Sequence, residues 1–90
     1  MQTTNSIINR TEISPNPNNG SFKVTVNTFE DNEYFNVEVL DMKGQIILFF
    51  KLNDNDLSKE INLQNYAKGV YLVKIFSSLG NNYIKKVVVE

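Results

Sequence analysis

Apolar residues at every second position, in short runs cut by turn-forming clusters, constrain this chain more than any other feature. Phe22, Val24 and Val26 fall on one face of such a run, and Lys23, Thr25 and Asn27 on the other. Phe35, Val37 and Val39 repeat the pattern against Asn36 and Glu38. A period of two is that of a half-buried strand, and the 3.6-residue period of an amphipathic helix fits neither run. Ile61 and Leu63 alternate in a shorter piece, while Val70 to Phe76 and Tyr83 to Val89 are rich in the β-branched and aromatic residues that pleated sheets favour. The run Gln45 to Asn53, QIILFFKLN, is apolar on both faces. Either that strand is central and covered, or one of Phe49 and Phe50 meets a partner.

The breaks between runs carry equally specific chemistry. Ser14-Pro15-Asn16-Pro17-Asn18-Asn19-Gly20 is a knot of turn-formers, because proline lacks an N–H donor and Asn and Gly tolerate left-handed backbone. Asp41-Met42-Lys43-Gly44 predicts a tight turn, and hence a hairpin from the Val37 strand into the Gln45 strand. Phe29 to Glu33, Asn53-Asp54-Asn55-Asp56, Asn65 to Lys68 and Leu79 to Asn82 supply the remaining connections. With Ile13 as a short opening strand, about seven strands recur at spacings of roughly 8–12 residues. The predicted fold is all-β, an immunoglobulin-like two-sheet antiparallel β-sandwich. Its predicted inward set is Phe22, Val24, Val26, Phe35, Val37, Val39, Ile47, Phe49, Ile61, Leu63, Tyr71, Val73, Ile75, Ile84 and Val88. Tyr71, just after Gly69, suits a tyrosine corner, in which the hydroxyl bonds nearby backbone; it suits equally a core aromatic with its hydroxyl at the rim.

A chain of 90 residues has room for one domain, predicted over residues 12–90. Residues 1–11, polar apart from Ile7 and Ile8, read as a linker or leftover segment. They lack the basic start and apolar stretch of a secretory signal, so export would require this chain to be part of a longer precursor. No run approaches the roughly 20 apolar residues that span a bilayer. Nine basic and ten acidic residues give a net charge of −1, without the basic excess that draws a domain onto nucleic acid. A monomer is expected.

Histidine and cysteine are both absent, which removes the usual general base, the thiolate nucleophile and the commonest transition-metal ligands. The remaining acid–base candidates are the carboxylate pairs Glu38 with Asp41 and Asp54 with Asp56. Both fall on polar faces or turns, outside the clefts that acid–base catalysis needs. Asn53 to Asp56 gathers oxygen ligands but lacks the spacing of an EF-hand loop, so a solvated turn accounts for it. Tyr34, Tyr66 and Tyr83 are the candidates for a sugar-stacking platform. The expectation is a non-enzymatic domain without cofactor or metal.

Four blocks in order carry a resemblance to a known family. Pro15-Asn16-Pro17-Asn18-Asn19-Gly20-Ser21-Phe22 is similar to the motif P-N-P-x-x-G-x-F. Val37 to Ile47, with Asp41 and Gly44 at its turn, resembles a strand, D-x-x-G turn and returning strand. Ile61-Asn62-Leu63 through Gly69-Val70-Tyr71-Leu72-Val73-Lys74-Ile75 resembles I-x-L followed by G-x-Y-x-V-K-I. Lys85-Lys86-Val87-Val88-Val89-Glu90 is similar to a basic, apolar terminus. The chain thus resembles the type A C-terminal sorting domain of the type IX secretion system, found on secreted proteins of Bacteroidota-type bacteria. Ser14, where an aromatic often stands, and Val89, where a polar or basic residue is common, depart from the pattern.

That resemblance implies a transport address fused to an upstream cargo protein. The cargo passes through the periplasm, and an outer-membrane translocon recognises the folded domain. A sortase-like peptidase commonly removes the domain, leaving the cargo at the cell surface or released outside. Recognition is expected at the last strand and adjacent loops, with the cut between Met1 and Arg10 or just beyond. The motif residues it singles out are Pro15, Asn16, Pro17, Gly20, Phe22, Asp41, Gly44, Gly69, Tyr71, Lys85, Lys86, Val87, Val88 and Glu90. The competing class is a carbohydrate- or protein-binding accessory module of the immunoglobulin or fibronectin kind.

Overall fold

A computed structural model describes residues 10–27 and 29–90. The linker expected over residues 1–11 therefore lies, through residue 9, outside the described residues. Seven strands follow in order: β1 Thr11–Ser14, β2 Ser21–Val26, β3 Phe35–Leu40, β4 Ile46–Leu52, β5 Ser58–Asn62, β6 Gly69–Ser77 and β7 Asn82–Val89. They form a three-stranded sheet, β1-β2-β5, and a four-stranded sheet, β4-β3-β6-β7, with every strand pair antiparallel. The inner faces meet in one core of Phe22, Val24, Val26, Phe35, Val37, Val39, Leu52, Ile61, Leu63, Tyr71, Val73, Ile75, Val87 and Val89. The two-sheet sandwich read from the alternation is the observed architecture.

Three members of the predicted inward set lie elsewhere. Phe49 is 61% exposed, Ile84 is 57% exposed, and Val88 is half-buried. In β7 the pairs Tyr71↔Val87 and Gly69↔Val89 turn the odd-numbered residues inward. Three consecutive valines gave that strand no phase of its own, so its phase comes from β6. In β4 the pair Phe35↔Leu52 sends Leu52 into the core, with Phe50 and Leu48 on the same side, and Phe49 is left outside. Ile47 stays half-buried against the core beside a register shift between Val39 and Leu40. β4 is also an edge strand rather than a central one, so the first explanation of its two apolar faces falls.

The two sheets share no strand, and polar links join them at both ends. At one end Arg10, preceding β1, reaches Glu33, preceding β3. Its Nη1 and Nη2 donate to Oε1 and Oε2 at 2.6 and 3.0 Å, and its guanidinium lies 5.4 Å from the Phe35 ring centroid. Glu33 also accepts from the Ser77 hydroxyl and, at 2.8 Å, from the Glu30 N–H. The Asn27 N–H donates to the Arg10 carbonyl at 2.7 Å. Arg10 and Thr11 are thus joined to the sandwich, Thr11 by pairing with Val26. Burial alone pushes the Glu33 carboxyl up, but the hydrogen bonds from Arg10, Glu30 and Ser77, with the Arg10 charge, bring it down to about 2.

Two measurements check this arrangement. A carboxyl held below its ordinary 4.5 stabilises the fold fully above that pH, and the contribution is lost as pH falls toward about 2. Glu33→Gln should therefore flatten the loss of urea-unfolding stability between those pH values, and should cost about 3 kcal/mol at neutral pH by stranding the buried guanidinium. The β7 phase predicts that Val87→Ala costs about 2 kcal/mol, whereas Ile84→Ala changes stability by less than about 0.5 kcal/mol.

Candidate functional site

The residues singled out by motif are far apart in the chain, and pairing collects them. Leu40↔Leu72 and Gly69↔Val89 bring the β3–β4 turn, the start of β6 and the end of β7 to one end of the molecule. The Leu63 N–H donates to the Gly20 carbonyl at 2.6 Å and brings the proline-asparagine knot there too. Arg10, where the described chain enters, lies at the opposite end, beside Asn27, Glu33 and Ser77. The long dimension is 40 Å.

At the motif end the knot closes on the outer edge of β7. A parallel bridge joins Asn18 to Val89: the Asn18 N–H donates to the Val88 carbonyl at 3.0 Å, and the Glu90 N–H to the Asn18 carbonyl at 2.8 Å. The Asn16 side-chain amide extends this pairing, donating to the Lys86 carbonyl at 2.9 Å and accepting from the Val88 N–H at 3.0 Å. One amide thereby does what a neighbouring strand would do, satisfying a donor and an acceptor of an edge that is otherwise a template for further pairing. Asn16 fits because its amide carries both a donor and an acceptor.

The knot is itself held in shape. Asn18 Oδ1 accepts from the Gly20 N–H at 2.8 Å, and Asn18 Nδ2 donates to the Pro15 carbonyl at 3.0 Å. The peptide bonds before Pro15 and Pro17 are cis. Gly20 has φ +110°, and a Cβ there would stand 3.0 Å from Gln64 Cγ and 3.2 Å from Gln64 N. Only glycine tolerates both conditions. Phe22 then enters the core at 2% exposure.

The other motif residues shape the neighbouring turns. Asp41 Oδ1 accepts from the Lys43 and Gln45 N–H groups at 2.9 and 3.0 Å, and Gly44 takes φ +87°. Tyr71 is buried, and its hydroxyl donates to the Ala67 carbonyl, which selects the tyrosine corner over the plain core aromatic. Lys85 is half-buried, Lys86 and Glu90 are exposed, and Val87 is in the core. Asn16, Lys86, Val88 and Glu90 therefore meet along one edge, while Gly20, Phe22, Asp41, Gly44, Gly69, Tyr71 and Val87 build the frame beneath. The clamp itself was not readable from the sequence, since a side-chain hydrogen bond to residues 70 and 72 positions away leaves no local pattern.

The catalytic and sugar-binding candidates do not assemble. Glu38 lies opposite Lys74 on the outer face of the four-stranded sheet, and Asp41 is engaged in its turn. Asp54 and Asp56 are exposed in the Asn53–Asp56 turn. Tyr34 lies near the Arg10 end with Lys51 Nζ 4.5 Å from its ring centroid, Tyr66 lies near the motif end, and Tyr83 packs against the core. No group of three metal-ligating side chains occurs among the described residues.

Comparison with family models gives a match over residues 12–90 to the secretion system C-terminal sorting domain. A comparison with curated proteins found no match.

The clamp makes a specific prediction for amide exchange. Asn16→Ala removes the acceptor for the Val88 N–H, so exchange at Val88 should accelerate about tenfold, as expected for one lost hydrogen bond. The Val87 amide, which alternation turns toward β6, should change much less.

Proposed function

Because this chain belongs to the secretion system C-terminal sorting domain family of the type IX pathway, we propose that it addresses a fused upstream cargo to the outer-membrane translocon and is then cut away. The family membership itself carries the coarser statement, that such a domain is a sorting signal whose cargo is delivered to the cell surface or the extracellular space. The finer steps are passage through the periplasm, recognition by the translocon and removal by a sortase-like peptidase. The observation that best supports them is the gathering of four separated motif blocks at the end of the molecule opposite Arg10. A cargo joined ahead of Arg10 leaves that end unobstructed.

The clamp narrows how the terminal strand is read. Four backbone groups of β7, from the Lys86 carbonyl to the Glu90 N–H, are occupied by Asn16 and Asn18. Recognition therefore uses the side chains of this edge and its Glu90 end, or else the knot must release before the strand pairs with a partner sheet. The position of the cut is narrowed too. From Arg10 onward the chain is tied by a buried ion pair and a backbone hydrogen bond, and a protease requires backbone that can be drawn out. Cleavage accordingly falls before Arg10.

A reporter fused ahead of the domain tests the reading in an organism that has the pathway. Deleting Lys85 to Glu90 should leave the reporter in the periplasm, but it also strips Val87 and Val89 from the core. A short Gly-Ser extension after Glu90 is the milder companion, because it moves the chain end without touching the packing. Retention of both variants, beside export of the unmodified fusion, is the expected result. Normal export of both would reject recognition at the terminal strand.

A further inference from the structure

The two outer faces of the sandwich differ in character. Away from the core, the three-stranded sheet presents Glu12, Lys23, Thr25, Ser58 and Glu60, an ordinary solvated surface. On the four-stranded sheet, pairing aligns Phe49, Glu38, Lys74 and Ile84 in one row, and Ile46, Leu40, Leu72 and Lys86 in the next. Phe49, Ile84 and Ile46 are each more than half exposed. Leu40 is buried at 8% exposure and Leu72 half-buried, whereas Phe49, Ile84 and Ile46 lie outside the core cluster, so these three are not explained by the packing between sheets. The strip continues through half-buried Val70 into a cleft of about 230 Å3 between the Met42 and Ala67 turns.

Size and charge select the occupant. With strands about 4.8 Å apart and a rise of about 3.3 Å per residue, the two rows cover roughly 250 Å2. That falls well short of the ~800 Å2 per partner of a standard stable interface. A second copy of the chain is therefore a poor occupant, and a transient partner suits the area. Glu38 stands opposite Lys74, whose Nζ lies 5.3 Å from the Phe76 ring centroid. Exposed Lys86 ends the second row, and exposed Lys51 lies one row beyond Phe49, its Nζ 4.5 Å from the Tyr34 ring centroid. Across the face Lys51, Lys74 and Lys86 stand with Glu38, a positive excess, and its complement is an apolar ridge that carries carboxylates.

We infer that this sheet face docks a protein of the export machinery that presents such a ridge, with one apolar side chain entering the cleft beside Val70 and Met42. The inference rests on the export reading and adds to it a contact distinct from the clamped edge of β7. Phe49, left without a role by the core, is the anchor at the β4 edge of the strip.

The test uses the reporter fusion carrying Phe49→Asp or Ile84→Asp, with Thr25→Asp on the opposite sheet as control. All three sites are outside the core, so melting temperatures should match that of the unmodified domain. Export should fall about tenfold or more for Phe49→Asp and Ile84→Asp, the scale of a lost interface anchor, and stay unchanged for Thr25→Asp. Lys51→Glu combined with Lys86→Glu should lower it in the same direction. A photo-crosslinker at position 49 should join the domain to one protein of the machinery, and at position 25 to none. Full export of the folded Phe49→Asp and Ile84→Asp fusions, while the unmodified fusion is exported, would overturn the docking face alone. So would sedimentation showing that the isolated domain dimerises through position 49, or binding to phosphatidylglycerol vesicles that Phe49→Asp abolishes. Retention of the unmodified fusion would overturn the export reading and this inference together.

Discussion

The hydrogen bonds from Asn16 and Asn18 to the outer edge of β7 are the constraint on which the rest of the motif end depends. They join two sheets that share no strand, and they fill an edge that would otherwise offer free backbone to any passing strand. Each supporting feature follows from the need to hold that amide in place. Gly20 allows the chain to turn tightly against Gln64, Asn18 bonds back to Pro15, and Phe22 anchors the exit of the knot in the core. At the far end the pairing of Arg10 with Glu33 plays the corresponding part, tying the entry to β1 to the entry to β3.

Much of this architecture was legible in the sequence. Alternation in β2 and β3 assigned Phe22, Val24, Val26, Phe35, Val37 and Val39 to the core correctly, because polar partners at every second position leave one phase available. It could not do so for β4 and β7, where neighbouring apolar residues make either phase plausible and cross-strand register decides. The turn chemistry of Asp41 and Gly44 was equally readable, as it acts within four residues. The Arg10–Glu33 pair and the Asn16 clamp were not, since each joins positions whose proximity exists only once the sheets have assembled.

Division of labour between the two ends and the two faces gives the fold its functional sense. Most motif residues serve geometry, while Pro15, Asn16, Pro17, Lys86 and Glu90 are exposed. On the proposed reading, such a domain is recognised through its turns and last strand, presented in fixed relation. The apolar outer face of the four-stranded sheet differs in kind: it adds nothing to the core and leaves Phe49 and Ile84 in water. A protein that is recognised has reason to keep such a surface, and one that only spaces its neighbours has none.

Transplantation tests the central claim most directly. An unrelated secreted reporter is given residues 10–90 at its C-terminus, or an inert β-sandwich of similar size, and its distribution between periplasm and cell exterior is measured by fractionation. The account predicts that only the first fusion reaches the exterior. Equal delivery of the two, or retention of both, would contradict it.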